Sequence, residues 1–135
     1  MTPSPFVFSI RPVFVDAFCS GAKRFELRTR RPSVYRGDLV LIYETAPTSM
    51  IVAEATVGEI RDASPAEIWR DLHESLGVTR EQFDAYFDGR ARAVAIELSC
   101  AWLDEPVPLP DGMAAPQSWS RLRGEWTPRR AVDRA

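Results

Sequence analysis

Residues 21–28, Gly-Ala-Lys-Arg-Phe-Glu-Leu-Arg, constrain the fold most because they join the end of a helix to the start of a strand. The preceding segment, Pro12–Ser20, has the pattern of a short amphipathic helix that begins on a proline and carries its apolar side chains on one face. Gly21 follows, and glycine ends a helix most easily. A candidate functional site is therefore expected where this helix meets the strand.

The strand after the glycine alternates between charged and apolar side chains. Arg24, Glu26 and Arg28 point to one side of an extended chain, whereas Phe25 and Leu27 point to the other. The apolar pair is expected to pack inward, and the charged side chains are expected to line the opposite surface.

Lys23 does not fit this alternation, because it stands three residues before Glu26 and an unbroken strand would put the two on opposite sides. They can face one pocket only if the chain turns or bulges at residues 22–24. Gly21 makes such a turn sterically easier. We therefore predict irregular backbone at this point and a pocket that Lys23 and Glu26 share.

The composition is that of one folded domain. The chain has 135 residues, 45% hydrophobic and 27% charged, which suffices for one core but not for two ordinary domains. No apolar run reaches membrane-spanning length and the first ten residues lack a secretion signal, so no membrane partner and a cytoplasmic location are expected. Cys19 and Cys100 have no metal-ligand spacing, and we expect two separate buried thiols.

Charge is distributed unevenly, although the formal net charge is only -2. Residues 11–36 contain seven basic and two acidic side chains, a local charge of +5. Residues 59–88 contain three basic and eight acidic side chains, a local charge of -5. A fold that separates these segments would have one basic face, which could attract a nucleic acid.

Periodicity and turn signals predict an α+β domain with strands at residues 6–10, 24–29, 39–44, 50–60 and 91–103. Capping motifs that begin at Ser64 and Thr79 predict two helices, which form an inserted helical hairpin. Closing such a sheet hides its edges, so we predict a mixed β-barrel of about five to six strands with a short first helix. Residues 1–120 would form this domain, and residues 121–135 a basic, partly ordered tail.

Five segments carry a resemblance to a known family. They are the motif Gly21-x-Lys23-x-x-Glu26-x-Arg28, Gly-Asp-Leu-Val-Leu-Ile-Tyr at residues 37–43, Val-Ala-Glu-Ala at 52–55, Gly-Val-Thr-Arg-Glu-Gln-Phe-Asp-Ala-Tyr-Phe at 77–87, and Pro-Gln-Ser-Trp at 116–119. In this order they resemble the ASCH domain of the PUA-like superfamily, in its small bacterial stand-alone form. The resemblance implies a PUA-like β-barrel with a cleft beside the motif lysine.

The resemblance also implies a role with RNA or modified nucleosides, and it leaves binding and catalysis both open. Members similar to acetylcytidine amidohydrolases have a threonine at the position of Glu26 and a glutamate from the helical region, which Glu74 matches loosely. Metal-assisted ribonuclease activity also occurs in the family, but no ligand cluster for it is visible here. The helix-turn-helix that some members add is absent from this sequence, which argues against sequence-specific DNA as a partner.

The chemistry of each candidate site residue suggests a role for it. Lys23 would act as a point charge on phosphate or, with a lowered pKa, as a base. Glu26 would accept hydrogen bonds from a base edge or orient Lys23, and Arg28 would supply charge. A basic rim, a stacking aromatic and polar groups that read a base edge would come from Arg30, Arg31, Tyr43, Thr45, Gln117, Ser118 and Trp119.

The same residues could instead have purely structural roles. Glu26 and Arg28 could form an ion pair, the rim arginines could be a solvated loop, and Trp119 could anchor the tail. Trp69 and Trp102 are expected in the core.

Two classes of function remain open. The first is a module that binds single-stranded RNA or a nucleoside, without a cofactor or a metal. The second is an enzyme in the same cleft, either an amidohydrolase acting on an acylated nucleoside or a ribonuclease. In the enzyme, Lys23 would be the base and Glu26 or Glu74 the carboxylate partner. The oligomeric state does not follow from the sequence.

Overall fold

The structure is a computed structural model that describes residues 4–127. The helices in this part of the chain are α1 (Pro12–Ser20), α2 (Pro65–Leu72) and α3 (Arg80–Tyr86), with a 3-10 turn at His73–Ser75. The strands are β1 (Phe6–Ile10), β2 (Phe25–Arg28), β3 (Leu39–Glu44), β4 (Met50–Ala63), β5 (Ala93–Val107) and β6 (Trp119–Arg121).

All six strands belong to one sheet, in the order β2-β5-β4-β3-β1-β6. β1 and β3 are parallel, and the other neighbours are antiparallel, so the sheet is mixed. It curls into a half-barrel that packs with the three helices. This architecture confirms the prediction of an α+β fold with a mixed, curled sheet of about five to six strands.

Two long strands produce the curl. β4 has 14 residues and β5 has 15, and their pairing shifts register between Ile51 and Ala53 and again between Val57 and Ile60. Such irregularities bend a strand and increase its twist. The bending leaves β2 and β6 as the two edges of a curled sheet.

Arg28 of β2 spans the gap between these edges. Its guanidinium donates a hydrogen bond to the hydroxyl of Ser118, the residue before β6, and lies 4.9 Å from the ring centre of Phe8 in β1. We call the gap between β2 and the β1–β6 pair the seam. A side chain rather than a backbone ladder joins the seam at this point, which leaves room for a cavity.

The local signals at helix ends behave as predicted. α1 has the predicted bounds, and Gly21 ends it in the left-handed conformation, with φ 86° and its N–H bonded to the carbonyl of Phe18 at 3.1 Å. The side chains of Ser64 and Thr79 accept hydrogen bonds from the first turns of α2 and α3. These contacts need no information from the rest of the fold.

Apolar side chains pack in three clusters, two of which support the seam. One includes Phe8 and Phe18, and another joins β2 to the α2–α3 hairpin through Phe25 and Phe83. Trp69 packs against the second cluster as predicted. Trp102 is 40% exposed, so its predicted core position is wrong. Alternation shows which residues of a strand share a side, but not whether a second layer covers that side.

Residues just beyond the predicted domain boundary at residue 120 still belong to the folded structure. Arg121 ends β6, and Leu122 is buried and donates its N–H to the carbonyl of Pro5 at 2.8 Å. Residues 128–135 of the predicted tail lie outside the described residues, and the boundary at residue 120 stays a prediction. No helix within residues 4–127 is long and apolar enough to cross a membrane.

Candidate functional site

A cavity of about 600 Å³ opens at the seam. Its size falls within the range of pockets that hold small ligands. The walls come from β2, α1, α3, the end of β1 and the segment before β6. The polar and aromatic lining residues are Ser9, Arg11, Phe14, Lys23, Glu26, Arg28, Gln82, Phe83, Tyr86 and Gln117. We call this cavity the Lys23 cleft.

Lys23 is the only lysine of the chain, and it is only 2% exposed. The chain turns at residues 21 and 22, and the N–H of Lys23 bonds the carbonyl of Ala17 at 3.0 Å before β2 begins. This turn confirms the predicted irregularity. Because Lys23 precedes the strand, it lines the same cavity as Glu26 despite the spacing of three.

The ammonium group of Lys23 has partners inside the protein. It donates a hydrogen bond to the carbonyl of Leu76 and lies 5.1 Å and 5.4 Å from the ring centres of Phe14 and Phe18. Burial lowers the pKa of Lys23 below its ordinary value, an effect that Glu26 opposes and Arg28 reinforces. A lysine of this kind can release its proton more readily than a solvated one.

Gly77 holds the stem of Lys23 in place. It lies next to Leu76 with φ 65°, and a Cβ atom there would lie 2.9 Å from the Cβ of Lys23. Only glycine allows this approach, because the positive φ disfavours any residue with a side chain and Lys23 occupies the space that a Cβ atom would need. The loop before α3 therefore packs directly on the lysine.

Glu26 and Arg28 form an ion pair inside the cleft. Their oxygen and nitrogen atoms are 3.2 Å apart, and Glu26 also accepts the N–H of Leu27 at 3.1 Å. Arg28 is 8% exposed, and its Nε has no hydrogen-bond partner within residues 4–127. A buried donor without a partner is costly, so the ion pair with Glu26 and the bond to Ser118 must offset this cost.

α3 contributes a wall that the sequence analysis did not assign to the site. Gln82 and Tyr86 lie one turn apart and both line the cleft. The hydroxyl of Tyr86 donates to the carbonyl of Leu27 at 3.3 Å, and partial burial raises its pKa. The spacing of four between two polar side chains in a helix was a visible signal, but it does not show which surface the helix faces.

The structure brings five of the predicted site residues together and leaves the others elsewhere. Lys23, Glu26, Arg28 and Gln117 line the cleft, and Ser118 adjoins it through its bond to Arg28. The residues outside its lining are Arg30 and Arg31, which are exposed, Thr45, Glu74 on the 3-10 turn, Tyr43, which is buried in another cluster, and Trp119, which packs edge-on against Phe6.

No three His, Cys, Asp or Glu side chains among residues 4–127 form a group that could hold a metal ion. The expectation that the site uses no metal or cofactor remains a prediction.

The two cysteines are free, as expected, but they are neighbours rather than separate. Cys19 of α1 and Cys100 of β5 are both half-buried and line the same small surface pocket. Interaction between the two thiols lowers the pKa of Cys19 and raises that of Cys100, which burial raises further. The pair lies where α1 packs against β5.

Together, the curled mixed sheet and the charged cavity at its seam define a small α+β domain with a concave, charged site. The ASCH domain model matches residues 8–100, and the chain belongs to the ASCH domain family.

Relatives of known sequence and structure agree with this assignment. An ASCH domain-containing ribonuclease of Zymomonas mobilis is 28% identical over 127 residues, which cover 90% of this chain and 86% of that protein. The crystal structure of ASCH from Zymomonas mobilis has a TM-score of 0.82 and 25% identity, and the match covers 89% of this chain and 88% of that chain. A hypothetical protein with 18% identity and a TM-score of 0.52, matched over 75% of this chain and 97% of its own, supports the fold alone.

Proposed function

We propose that this protein binds single-stranded RNA and takes one unpaired nucleotide into the Lys23 cleft. The observation that carries the proposal is the pairing of two buried cations, Lys23 and Arg28, with aromatic and amide walls in one cavity of nucleotide-like size. Cations position phosphates, whereas rings and amides recognise unstacked bases.

Arg28 is the best phosphate ligand in the cleft. Its planar guanidinium is already held by Glu26 and Ser118. A phosphate oxygen at the guanidinium would contact a side chain that is fixed in advance, which limits the entropy lost on binding. Arg30 and Arg31 follow β2 and would contact neighbouring phosphates as an exposed rim.

The family relationship points in the same direction. The Zymomonas mobilis relative that spans 90% of this chain is a ribonuclease, so RNA is the ligand of a protein built on the same scaffold. That relationship supports RNA over a small amide. The amidohydrolase alternative has less support here, because the Glu26 carboxylate stands where that reaction uses a hydroxyl and is held by Arg28 and the backbone.

A fluorescence-anisotropy titration with labelled single-stranded RNA tests the proposal at low and moderate salt. Native protein should bind in a saturable, salt-sensitive manner, and Lys23→Ala should weaken the affinity. Arg80→Ala is the matched control, since Arg80 pairs with Asp84 on the exposed side of α3 and does not line the cleft. Absence of binding, or equal losses in both variants, would contradict the proposal.

Cleavage of the bound RNA is the second candidate, and the lowered pKa of Lys23 favours it. In its neutral form, Lys23 would take the proton of a ribose 2′-hydroxyl while the 2′-oxygen attacks the adjacent phosphorus. The bond from phosphorus to the 5′-oxygen would break, and that oxygen would take a proton from water. The products would be a 2′,3′-cyclic phosphate and a 5′-hydroxyl end.

The pH dependence separates binding from cleavage. Affinity that depends on charged Lys23 should fall as pH rises through its lowered pKa, whereas a cleavage rate that needs neutral Lys23 should rise over the same range. Gel analysis of a labelled RNA at several pH values measures the rate. Intact RNA at every pH would leave the protein a binding module, and cleavage that persists in Lys23→Ala would exclude Lys23 as the base.

A further inference from the structure

The exposed face of α3 borders the Lys23 cleft with two side chains that have no role so far. Gln82 and Tyr86 are both solvent-exposed in part and both line the cavity, so they stand at its mouth. The two aromatic residues predicted from the sequence are engaged elsewhere, since Tyr43 is buried in a separate cluster and Trp119 packs on Phe6.

The side chain of Tyr86 has a fixed orientation and a solvent-exposed ring. Its hydroxyl is anchored to the carbonyl of Leu27 at 3.3 Å, and its ring meets Phe87 edge-on with centres 4.8 Å apart. Nevertheless, 48% of the residue is exposed. An aromatic side chain whose orientation is fixed and whose surface remains open is suited to stack on a nucleic-acid base.

Gln82 has a fixed orientation because it belongs to a capping box. Its Oε1 accepts the N–H of Thr79 at 2.9 Å, and its own N–H donates to the Thr79 hydroxyl at 3.1 Å. Because a backbone N–H can only donate, the side-chain oxygen must be the atom that faces Thr79. The side-chain nitrogen has no partner within residues 4–127, so Gln82 offers a ligand hydrogen-bond donors.

We propose that Tyr86 and Gln82 form a base-recognition subsite for an unpaired base that carries a carbonyl oxygen on its edge. Tyr86 stacks on the base, and the amide nitrogen of Gln82 donates to the carbonyl. The inference rests on the proposed RNA-binding function and adds a substrate class to it. Guanine and hypoxanthine have the required oxygen at position 6, whereas adenine presents an amino group there.

Isothermal titration calorimetry with three probes tests the stacking half of this proposal. Inosine 5′-monophosphate has the base, adenosine 5′-monophosphate differs at one edge group, and ribose 5-phosphate lacks the base. Tyr86→Ala should weaken both nucleotides about 5- to 150-fold and leave ribose 5-phosphate unchanged, while Tyr86→Phe should retain most of the affinity. Tyr35→Ala is the control, because Tyr35 is 66% exposed and lies outside the cleft.

Gln82→Glu tests the donor half without removing the helix cap. Glutamate also closes a capping box, so the variant keeps the bond to Thr79 and replaces the amide donor with an acceptor. The added negative charge should weaken the binding of both nucleotides equally, because they carry the same phosphate. The ratio of their two affinities is therefore independent of this effect. Native protein should prefer the inosine nucleotide, and Gln82→Glu should lose or reverse that preference.

The outcomes distinguish this proposal from the function on which it rests. An affinity ratio that Gln82→Glu does not move, or an equal loss of ribose 5-phosphate in Tyr86→Ala, overturns the subsite. If neither nucleotide binds while longer single-stranded RNA does, the cleft reads backbone rather than base, so the subsite fails and the proposed function stands. If no RNA binds native protein, the proposed function itself fails.

Discussion

At the scale of single residues, Lys23 is a buried lysine with a lowered pKa at the candidate site. An ammonium group loses hydration on burial, and the fold compensates with one carbonyl, two aromatic rings and the nearby Glu26 carboxylate. The other sixteen basic side chains of the sequence are arginines, which cannot release a proton near neutral pH. Lysine is therefore the residue type that can provide either a charge or a base at this position.

Lys23→Met should change how stability depends on pH. The pKa of Lys23 is lower in the folded protein than its ordinary value of 10.5, so the unfolded chain binds more protons between those two values. The free energy of unfolding of the native protein should rise with pH across that window, and the variant should lack this contribution. Urea denaturation of both proteins from neutral to alkaline pH measures the difference. A difference that does not vary with pH would contradict the lowered pKa.

Gly77→Ala should be more harmful than its matched control, Gly89→Ala. Both glycines have positive φ, 65° and 70°, so both variants carry the conformational cost of about 1 kcal/mol. Only the Cβ at Gly77 meets Lys23, whereas no atom lies within 4 Å at Gly89. Urea denaturation should show the larger loss for Gly77→Ala, and anisotropy should show weaker RNA binding for that variant alone. Equal behaviour of the two variants would mean that the loop does not position Lys23.

At the scale of secondary-structure elements, the seam between β2 and β6 creates the site. A barrel closed by backbone hydrogen bonds would have no cavity there, because a continuous ladder would occupy the space. Arg28 spans the gap instead, with Glu26 on its own strand and Ser118 on the other side. The same side chain thus closes the sheet and lines the cleft.

Arg28→Ala should therefore destabilise the fold as well as weaken ligand binding. It leaves Glu26 as a nearly buried charge without its partner, a change that costs about 3 kcal/mol in comparable pairs. The double variant Arg28→Ala with Glu26→Gln should recover part of this loss, because the unpaired charge is gone. Arg80→Ala, which breaks an exposed pair, should change stability little. Urea denaturation of the four proteins provides the comparison, and an Arg28→Ala loss no larger than that of Arg80→Ala would refute the bridging role.

The elements also show how far sequence can predict this fold. α1 and β3 have the predicted bounds because their periodicity and their end signals are local. β6 escaped prediction, since Trp119–Arg121 becomes a strand only by pairing with β1 more than a hundred residues earlier. β5 extends beyond its predicted end to Val107 for the same reason, because pairing with β4 sustains it.

The site divides in the same way. Lys23, Glu26 and Arg28 lie within six residues, so one motif could reveal them. Gln82 and Tyr86 reach the cleft only because the α2–α3 hairpin folds against β2. No periodicity within α3 encodes that contact.

At the scale of the whole molecule, acidic side chains are paired in one segment, whereas two exposed arginines follow the strand that lines the cleft. In the acidic segment at residues 59–88, Asp62, Asp71 and Asp84 are paired with arginines. Arg30 and Arg31 are exposed and have no ion-pair partner within residues 4–127. A nearly neutral protein can therefore present a positive surface beside its cavity.

Replacing both arginines should alter the salt dependence of RNA binding. Each phosphate contact on a single strand contributes about -0.7 to the slope of log affinity against log salt, so Arg30→Ala with Arg31→Ala should make the slope shallower by about 1.4. Arg80→Ala should leave it unchanged, because Asp84 already neutralises Arg80. Anisotropy titrations at four salt concentrations give the slopes. An unchanged slope in the double variant would exclude Arg30 and Arg31 as phosphate contacts.

RNA bound in the proposed site would lie beside Lys23, and because the sequence contains a single lysine, this contact can be tested directly. Protein labelled with ¹³C at the lysine ε-carbon gives one side-chain NMR signal, which can be followed as single-stranded RNA is added. If RNA occupies the Lys23 cleft, this signal should shift in step with the binding measured by anisotropy. Saturable binding that leaves the lysine signal unmoved would place RNA elsewhere on the protein and contradict the proposed function.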